Sequence, residues 1–216
     1  MSDRPLVLGI AGKCCSGKDL VTDWLVQRSW RPIDVDAIGH RALAARHTEL
    51  VAAFGMTILS RTGAIDRKKL GTIVFGDKNQ LLRLERIVHP WMRDRVRAET
   101  EAFRATVERG DEGIPTGLVI NAALLFHMGL DAFCDRVIMV QAPLLTRLIR
   151  ARRRDKYSWK RIIDRLRTQS EIDAQAHASA ADIIRVKNGK RPSDLFAQLE
   201  SIPELGSGVA TRYGAE

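Results

Sequence analysis

A chain of 216 residues with 45% hydrophobic and 28% charged residues suits one domain, with or without an inserted subdomain, and excludes disordered and fibrous classes. No apolar run reaches the roughly 18 residues a membrane-spanning helix needs, and Met1 to Pro5 lacks the basic-then-apolar order of a secretory signal, so a cytoplasmic chain with no membrane partner is expected. Of the net charge of +9, a local +8 lies between Arg147 and Arg167, where ten Lys or Arg face Asp155 and Asp164. Such concentration implies a polyanionic partner, either nucleic acid or a multiply phosphorylated small molecule. The odd count of cysteines, Cys14, Cys15 and Cys134, argues against a disulfide framework, and no Cys-x-x-Cys pair suggests structural zinc.

Leu6 to Ala11 is a short apolar run that suits a strand buried on both faces of a parallel sheet. A turn of small residues leads into helical spacing from Leu20 to Gln27. A second strand near Arg31 to Val35 precedes helical pattern from Ala37 to Ala45. From Thr48 to Arg109 the pattern is mainly helical, punctuated by Gly55, Gly63 and Pro90, so residues 48–110 are expected to form an inserted helical subdomain that binds the acceptor. Strands follow at Gly117 to Ala122 and Arg136 to Val140. Helices are expected over Pro143 to Arg152 and Trp159 to Ala176, a last strand at Ile183 to Val186 and a helix at Pro192 to Glu200. Strands alternating with helices predict an α/β fold with a doubly wound parallel sheet. The expected organisation is one domain over 1–203, with lid and flanking helices over about 143–176 and a flexible tail over 204–216.

Gly12-Lys13-Cys14-Cys15-Ser16-Gly17-Lys18-Asp19 matches the P-loop pattern through its lysine. Glycines let the backbone curl so that its N–H groups face a phosphate, the following helix N-terminus adds positive potential, and Lys18 neutralises the β and γ oxygens. Gly12, Lys13, Cys15, Ser16, Gly17, Lys18, Asp19 and Leu20 are therefore the expected ATP-binding residues of this segment. A plain glycine turn would account for Gly12 and Gly17, but not for Lys18. Asp19 stands where a Ser or Thr ordinarily ligates the Mg2+ of ATP. Its carboxylate is the candidate metal ligand, with Lys13 as the cation that offsets its charge. Cys15 is either a small residue filling a tight loop or a thiol made reactive by its position near a helix N-terminus and two lysines.

Beyond the loop, Pro32-Ile33-Asp34-Val35-Asp36-Ala37, Gly63-Ala64-Ile65-Asp66-Arg67 with Leu70 and Val74-Phe75, His89-Pro90, Arg150, Arg154-Asp155, Arg165, Gln169, Ala181-Asp182 and Asn188-Gly189 follow in order. In order and spacing these pieces resemble the dephospho-coenzyme A kinases, over about Leu6 to Leu199. The resemblance implies a P-loop kinase fold with a helical lid. It also implies a transferase of coenzyme A biosynthesis that moves the γ-phosphoryl group of ATP to the ribose 3′-hydroxyl of dephospho-coenzyme A, with Mg2+.

The same resemblance implies roles for single residues. Asp36 takes the place of the catalytic carboxylate that orients the attacking hydroxyl, its alternative being a helix N-cap before Ala37. Arg150 and Arg154, four apart on one helix face, are implied to close over the triphosphate, with Arg150 joining Lys18 and Asp36 as catalytic. His89 is implied to contact the acceptor, or else to form a buried His-Pro corner that breaks a helix. Asn188 is implied to border the adenine. The chain departs from the family pattern at Asp19 and at Ala123-Leu124-Leu125-Phe126-His127, where proline and an acid are usual. Those departures leave a second reading open, a nucleotide-binding protein of the same fold with reduced or lost catalysis. No helix-turn-helix, zinc finger or aromatic platform accompanies the basic segment, so lid arginines explain its charge better than nucleic acid does.

Overall fold

In a computed structural model of the chain, the described residues are 5–155, 175–176, 179–189 and 191–206, with the side chains of 154 and 155 excepted. Two compact units result: Met1–Ile33 together with Thr100–Glu216, and Asp34–Glu99. The first is built on β1 (Leu6–Ala11), β2 (Trp30–Asp34), β3 (Gly117–Asn121), β4 (Arg136–Gln141) and β5 (Asp182–Lys187), in the order β2-β3-β1-β4-β5. β1 pairs in parallel with β3 and with β4, and β4 with β5. The apolar run of β1 forms a central strand because both faces are covered: Val7, Leu8 and Ile10 are buried.

One face of the sheet packs against α1 (Lys18–Val26), α7 (Pro192–Glu200) and the short α8 (Pro203–Gly206). There Leu8, Ile10, Val119, Ile138, Val140 and Val186 meet Val21, Trp24, Leu25, Leu195, Leu199 and Leu205 in one cluster. Residues 204–206, expected in the tail, belong to α8. Leu205 is buried, and Glu204 accepts from Arg136 Nη1 at 2.7 Å. Gly117 opens β3 beneath the Trp30 ring. A Cβ there would sit 2.2 Å from that ring, so a side chain is excluded while Trp30 stays in the core.

The second unit is helical, with α2 (Val35–Ala45), α3 (His47–Phe54), α4 (Arg67–Val74) and most of α5 (Lys78–Arg109), which continues into the first unit. Its bounds differ from the expected 48–110 at both ends. Helical structure starts at once after β2, and the last turns of α5 belong with the sheet, where Arg104 Nη2 donates to Phe133 O and Asp135 Oδ1. Gly63 at φ +79 turns the chain between Leu59 and Ile65, which form an isolated antiparallel bridge, and Asp66 then caps α4 by accepting from the N–H groups of Lys68 and Lys69. The Gly63 to Arg67 segment is thus a turn followed by a cap.

Pro90 does not punctuate the helical region as expected. It lies inside α5, a helix of 32 residues. An interior proline costs about 3 kcal/mol by losing one hydrogen bond and crowding the preceding turn. Burial of Val88, Met92, Val96 and Phe103 along the same helix offsets that cost. The helix expected over 159–176 lies mostly outside the described residues. Among the described residues, no helix is long and apolar enough to cross a membrane.

Candidate active site

The loop after β1 is a cradle built by backbone geometry. Gly12, Cys15 and Gly17 have φ of +147°, +59° and +100°, and the Ser16 N–H donates to Lys13 O at 3.0 Å. Side chains at either glycine are excluded by neighbours as well as by φ. A Cβ on Gly12 would fall 2.5 Å from Val140 O and 2.7 Å from Ser16 Oγ, and one on Gly17 would fall 2.0 Å from Asn188 Nδ2. Gly17 is the N-cap of α1 and supplies no side-chain acceptor, and the first N–H groups of α1, at a helix N-terminus, favour an anion. Lys18 Nζ turns back across the loop to donate to Gly12 O at 3.0 Å, bringing a cation to those amides. Ser16 is 1% exposed, and its buried Oγ has no hydrogen-bond partner among the described residues.

The loop is braced from behind by residues far away in sequence. Asn188, just past β5, donates through Nδ2 to Ser16 O at 2.8 Å and accepts through Oδ1 from Arg150 Nη2 at 3.0 Å. Arg150, on α6 (Leu144–Asp155), also donates to Gly189 O at 3.0 Å and to Ser16 O at 3.4 Å. Arg147, one turn earlier on the same face, is buried and donates through Nε to Cys14 O at 3.0 Å. Sequence reasoning read Arg147 only as part of a basic stretch. Its spacing of three from Arg150 was the available signal.

Asp19 sits exposed in the first turn of α1, where its Oδ1 accepts from Asn121 Nδ2, at the end of β3, at 3.1 Å. Asn121 is thus a hydrogen-bond partner of the acid, and nothing in the linear sequence marked it. Leu20 packs against the sheet's core, Lys13 and Cys15 are half-exposed in the loop, and Cys14 Sγ lies 3.6 Å from Cys15 Sγ. Arg154 is in the last turn of α6, and its side chain lies outside the described residues, as do Arg165 and Gln169. In the helical unit, Asp36 is exposed in the first turn of α2, whose cap is Asp34: its Oδ1 accepts from Ala37 N at 2.8 Å. His89 is half-buried on α5 immediately before Pro90, so the two residues sit within a continuous helix and form no corner.

A parallel sheet whose central strand ends in a glycine cradle with a recurved lysine, at a helix N-terminus, defines a nucleotide-binding protein of the P-loop kinase fold. A family model described as dephospho-CoA kinase matches residues 6–192. A dephospho-CoA kinase of Bacillus licheniformis is 30% identical over 94% of this chain and 98% of its own length, and that of Geobacter sulfurreducens is 33% identical over 91% and 96%. Among solved structures, TT1252 from Thermus thermophilus superposes with a TM-score of 0.71 at 27% identity, covering 92% of this chain and 96% of that one. The dephospho-CoA kinase from Campylobacter jejuni shares the fold, with a TM-score of 0.62 at 24% identity over 89% and 92%. The chain belongs to the dephospho-CoA kinase family.

Proposed function

We propose that this chain transfers the γ-phosphoryl group of ATP to the ribose 3′-hydroxyl of dephospho-coenzyme A, yielding coenzyme A and ADP. The observation that carries the reading is the loop itself. Glycines at 12 and 17 that tolerate no Cβ, and Lys18 folded over the amides, have the spacing of the P-loop pattern and lie within the segment that the family model matches. Catalysis of this kind is mainly positioning and charge stabilisation. Lys18 and the loop amides hold the β and γ phosphates, while Arg150, held at the loop by Asn188, adds positive charge beside them. Arg154 is the second arginine of the proposed lid.

The residues present suit a divalent cation. Asp19 offers an exposed carboxylate one residue after Lys18, a hard oxygen ligand of the kind Mg2+ accepts. Held by Asp19, the ion would offset the negative charge that builds on the phosphate oxygens. In the helical unit Asp36 is proposed to take the proton of the attacking hydroxyl while that oxygen bonds to the γ phosphorus. The bond to the β–γ bridging oxygen breaks, and ADP leaves. His89 is proposed to hold the acceptor, and Asn188 to border the adenine as well as brace the loop.

Incubating the purified chain with ATP, Mg2+ and dephospho-coenzyme A, and following the acceptor's mass, tests the reading. Gain of one phosphoryl group on the acceptor, lost in Lys18→Ala, is expected. ATP consumption with no phosphorylated acceptor would reject it.

A further inference from the structure

P-loop enzymes ordinarily hold the metal of ATP with two groups: a Ser or Thr hydroxyl following the loop lysine, and a carboxylate at the end of a neighbouring strand. This chain has Asp19 after Lys18, which by itself reads as a damaged site. The sheet supplies the rest. β3 lies directly beside β1, with Ile10 in register with Asn121, so Asn121 ends the strand adjoining the loop. There it carries an amide, and the amide donates to Asp19 Oδ1 at 3.1 Å. An ionised carboxylate only accepts hydrogen bonds, so the Asn121 nitrogen must face Asp19 and its carbonyl oxygen must face away.

We infer that Asn121 is a positioning residue for the metal, and that Asp19 and Asn121 carry the usual pair with its polarity exchanged. The acid stands on the loop and the neutral partner on the strand. The sum of charge at the pair remains one negative unit, so the substitution at Asp19 relocates the metal's carboxylate without adding a second. Asn121 holds that carboxylate through one oxygen and leaves Oδ2 for the cation, a hard oxygen ligand of the type such ions accept. The exchange also explains why the strand end tolerates an amide: an acid in both positions would set two like charges at hydrogen-bond distance.

The inference rests on the reading that the loop binds ATP with a divalent cation, and its test does not involve the acceptor. Affinity for a non-hydrolysable ATP analogue is measured with and without Mg2+. The spectrum of Mn2+ in the ternary complex reports the metal directly. The variants are Asp19→Ser, Asn121→Asp, Asn121→Ala and the double variant Asp19→Ser with Asn121→Asp. Each single variant should lose about tenfold or more of the metal's enhancement of nucleotide affinity, the usual scale for removing an outer-shell partner. The double variant, which rebuilds the ordinary pair, should return to within about threefold of the parent, far from the sum of the single losses. Additive losses in the double variant, or an Asn121→Ala protein with unchanged metal dependence and Mn2+ spectrum, would overturn the exchange. Failure of the parent to bind the analogue at all would instead overturn the reading of the loop and this inference with it.

Discussion

The amide of Asn188 and the carbonyl of Ser16 are 2.8 Å apart, and that bond ties the end of the edge strand β5 to the phosphate loop that follows the central strand β1. Asn188 is 1% exposed, and its oxygen is taken by Arg150. Replacing it by Ala removes two buried hydrogen bonds and leaves Ser16 O with the 3.4 Å bond from Arg150, a loss of about 1–3 kcal/mol. Asn188→Ala should therefore lower the urea midpoint and weaken binding of ATP and GTP together. If Asn188 also borders the base, the loss should be greater for ATP than for GTP, so the ratio of the two affinities separates bracing from base contact.

Gly12 tests the cradle without touching charge. At φ +147°, with Val140 O 2.5 Å from the place a Cβ would occupy, Gly12→Ala combines backbone strain with a clash against main chain that cannot move aside. The expected cost is about 1–3 kcal/mol in stability, with a matching fall in ATP affinity. Lys18→Ala should behave differently, weakening ATP while leaving the unfolding midpoint near that of the parent. Denaturant curves and nucleotide titrations on both variants check the contrast.

Local signals carried the frame of this molecule. The apolar run of β1 and the proline-led helix over Pro192–Glu200 were legible to the residue, because burial on both faces and a proline at the first turn are written in adjacent positions. Pro90 misled for the same reason: a local rule for ending helices gave way to a long buried face that only the tertiary structure reveals. The brace was illegible in another way. Asn188 to Ser16, Arg147 to Cys14 and Asn121 to Asp19 are separated by 172, 133 and 102 positions, and hydrogen bonds of that range leave no periodicity. Asp34 and Asp36 show the middle case, since either suits a cap, and only the start of α2 at Val35 assigns that work to Asp34.

Cys134 gives a pH dependence with a definite sign. Burial, and then the nearby carboxylates of Asp131 and Asp135, push its thiol well above the ordinary 9.0. The folded state thus keeps the thiol neutral where the unfolded chain begins to ionise. Its contribution is fully present below about pH 9 and is lost as pH rises beyond it. The difference in unfolding free energy between the parent and Cys134→Ala should shrink between neutral pH and pH 10. In labelling with a thiol reagent at pH 7, Cys134, whose thiol is held neutral, should react after Cys15 in the loop, and bound ATP should protect Cys15. Peptide mass mapping identifies the modified cysteine. Labelling at Cys134 before Cys15, or labelling of Cys15 that leaves ATP affinity unchanged, would contradict this.

Asp34 and Asp36, two residues apart, should separate cleanly by experiment. Asp34 accepts from Ala37 N at 2.8 Å, and removing that cap by Asp34→Ala should cost about 1 kcal/mol of stability. Asp36 is exposed in the same first turn and is not needed for the cap, so Asp36→Asn should leave the unfolding midpoint where it is. Its proposed role is with the attacking hydroxyl, and the amide keeps the shape of the carboxylate while losing its capacity to take a proton. Turnover of dephospho-coenzyme A should fall about 100-fold or more, the range for a positioned acid-base group, while ATP affinity stays near that of the parent. A residue that only shaped the helix would give the opposite pattern, a shifted midpoint with turnover nearly intact. Measuring midpoint, ATP affinity and turnover on the same two variants makes the assignment decidable. Equal turnover in Asp36→Asn and the parent would move the role of proton acceptor away from Asp36.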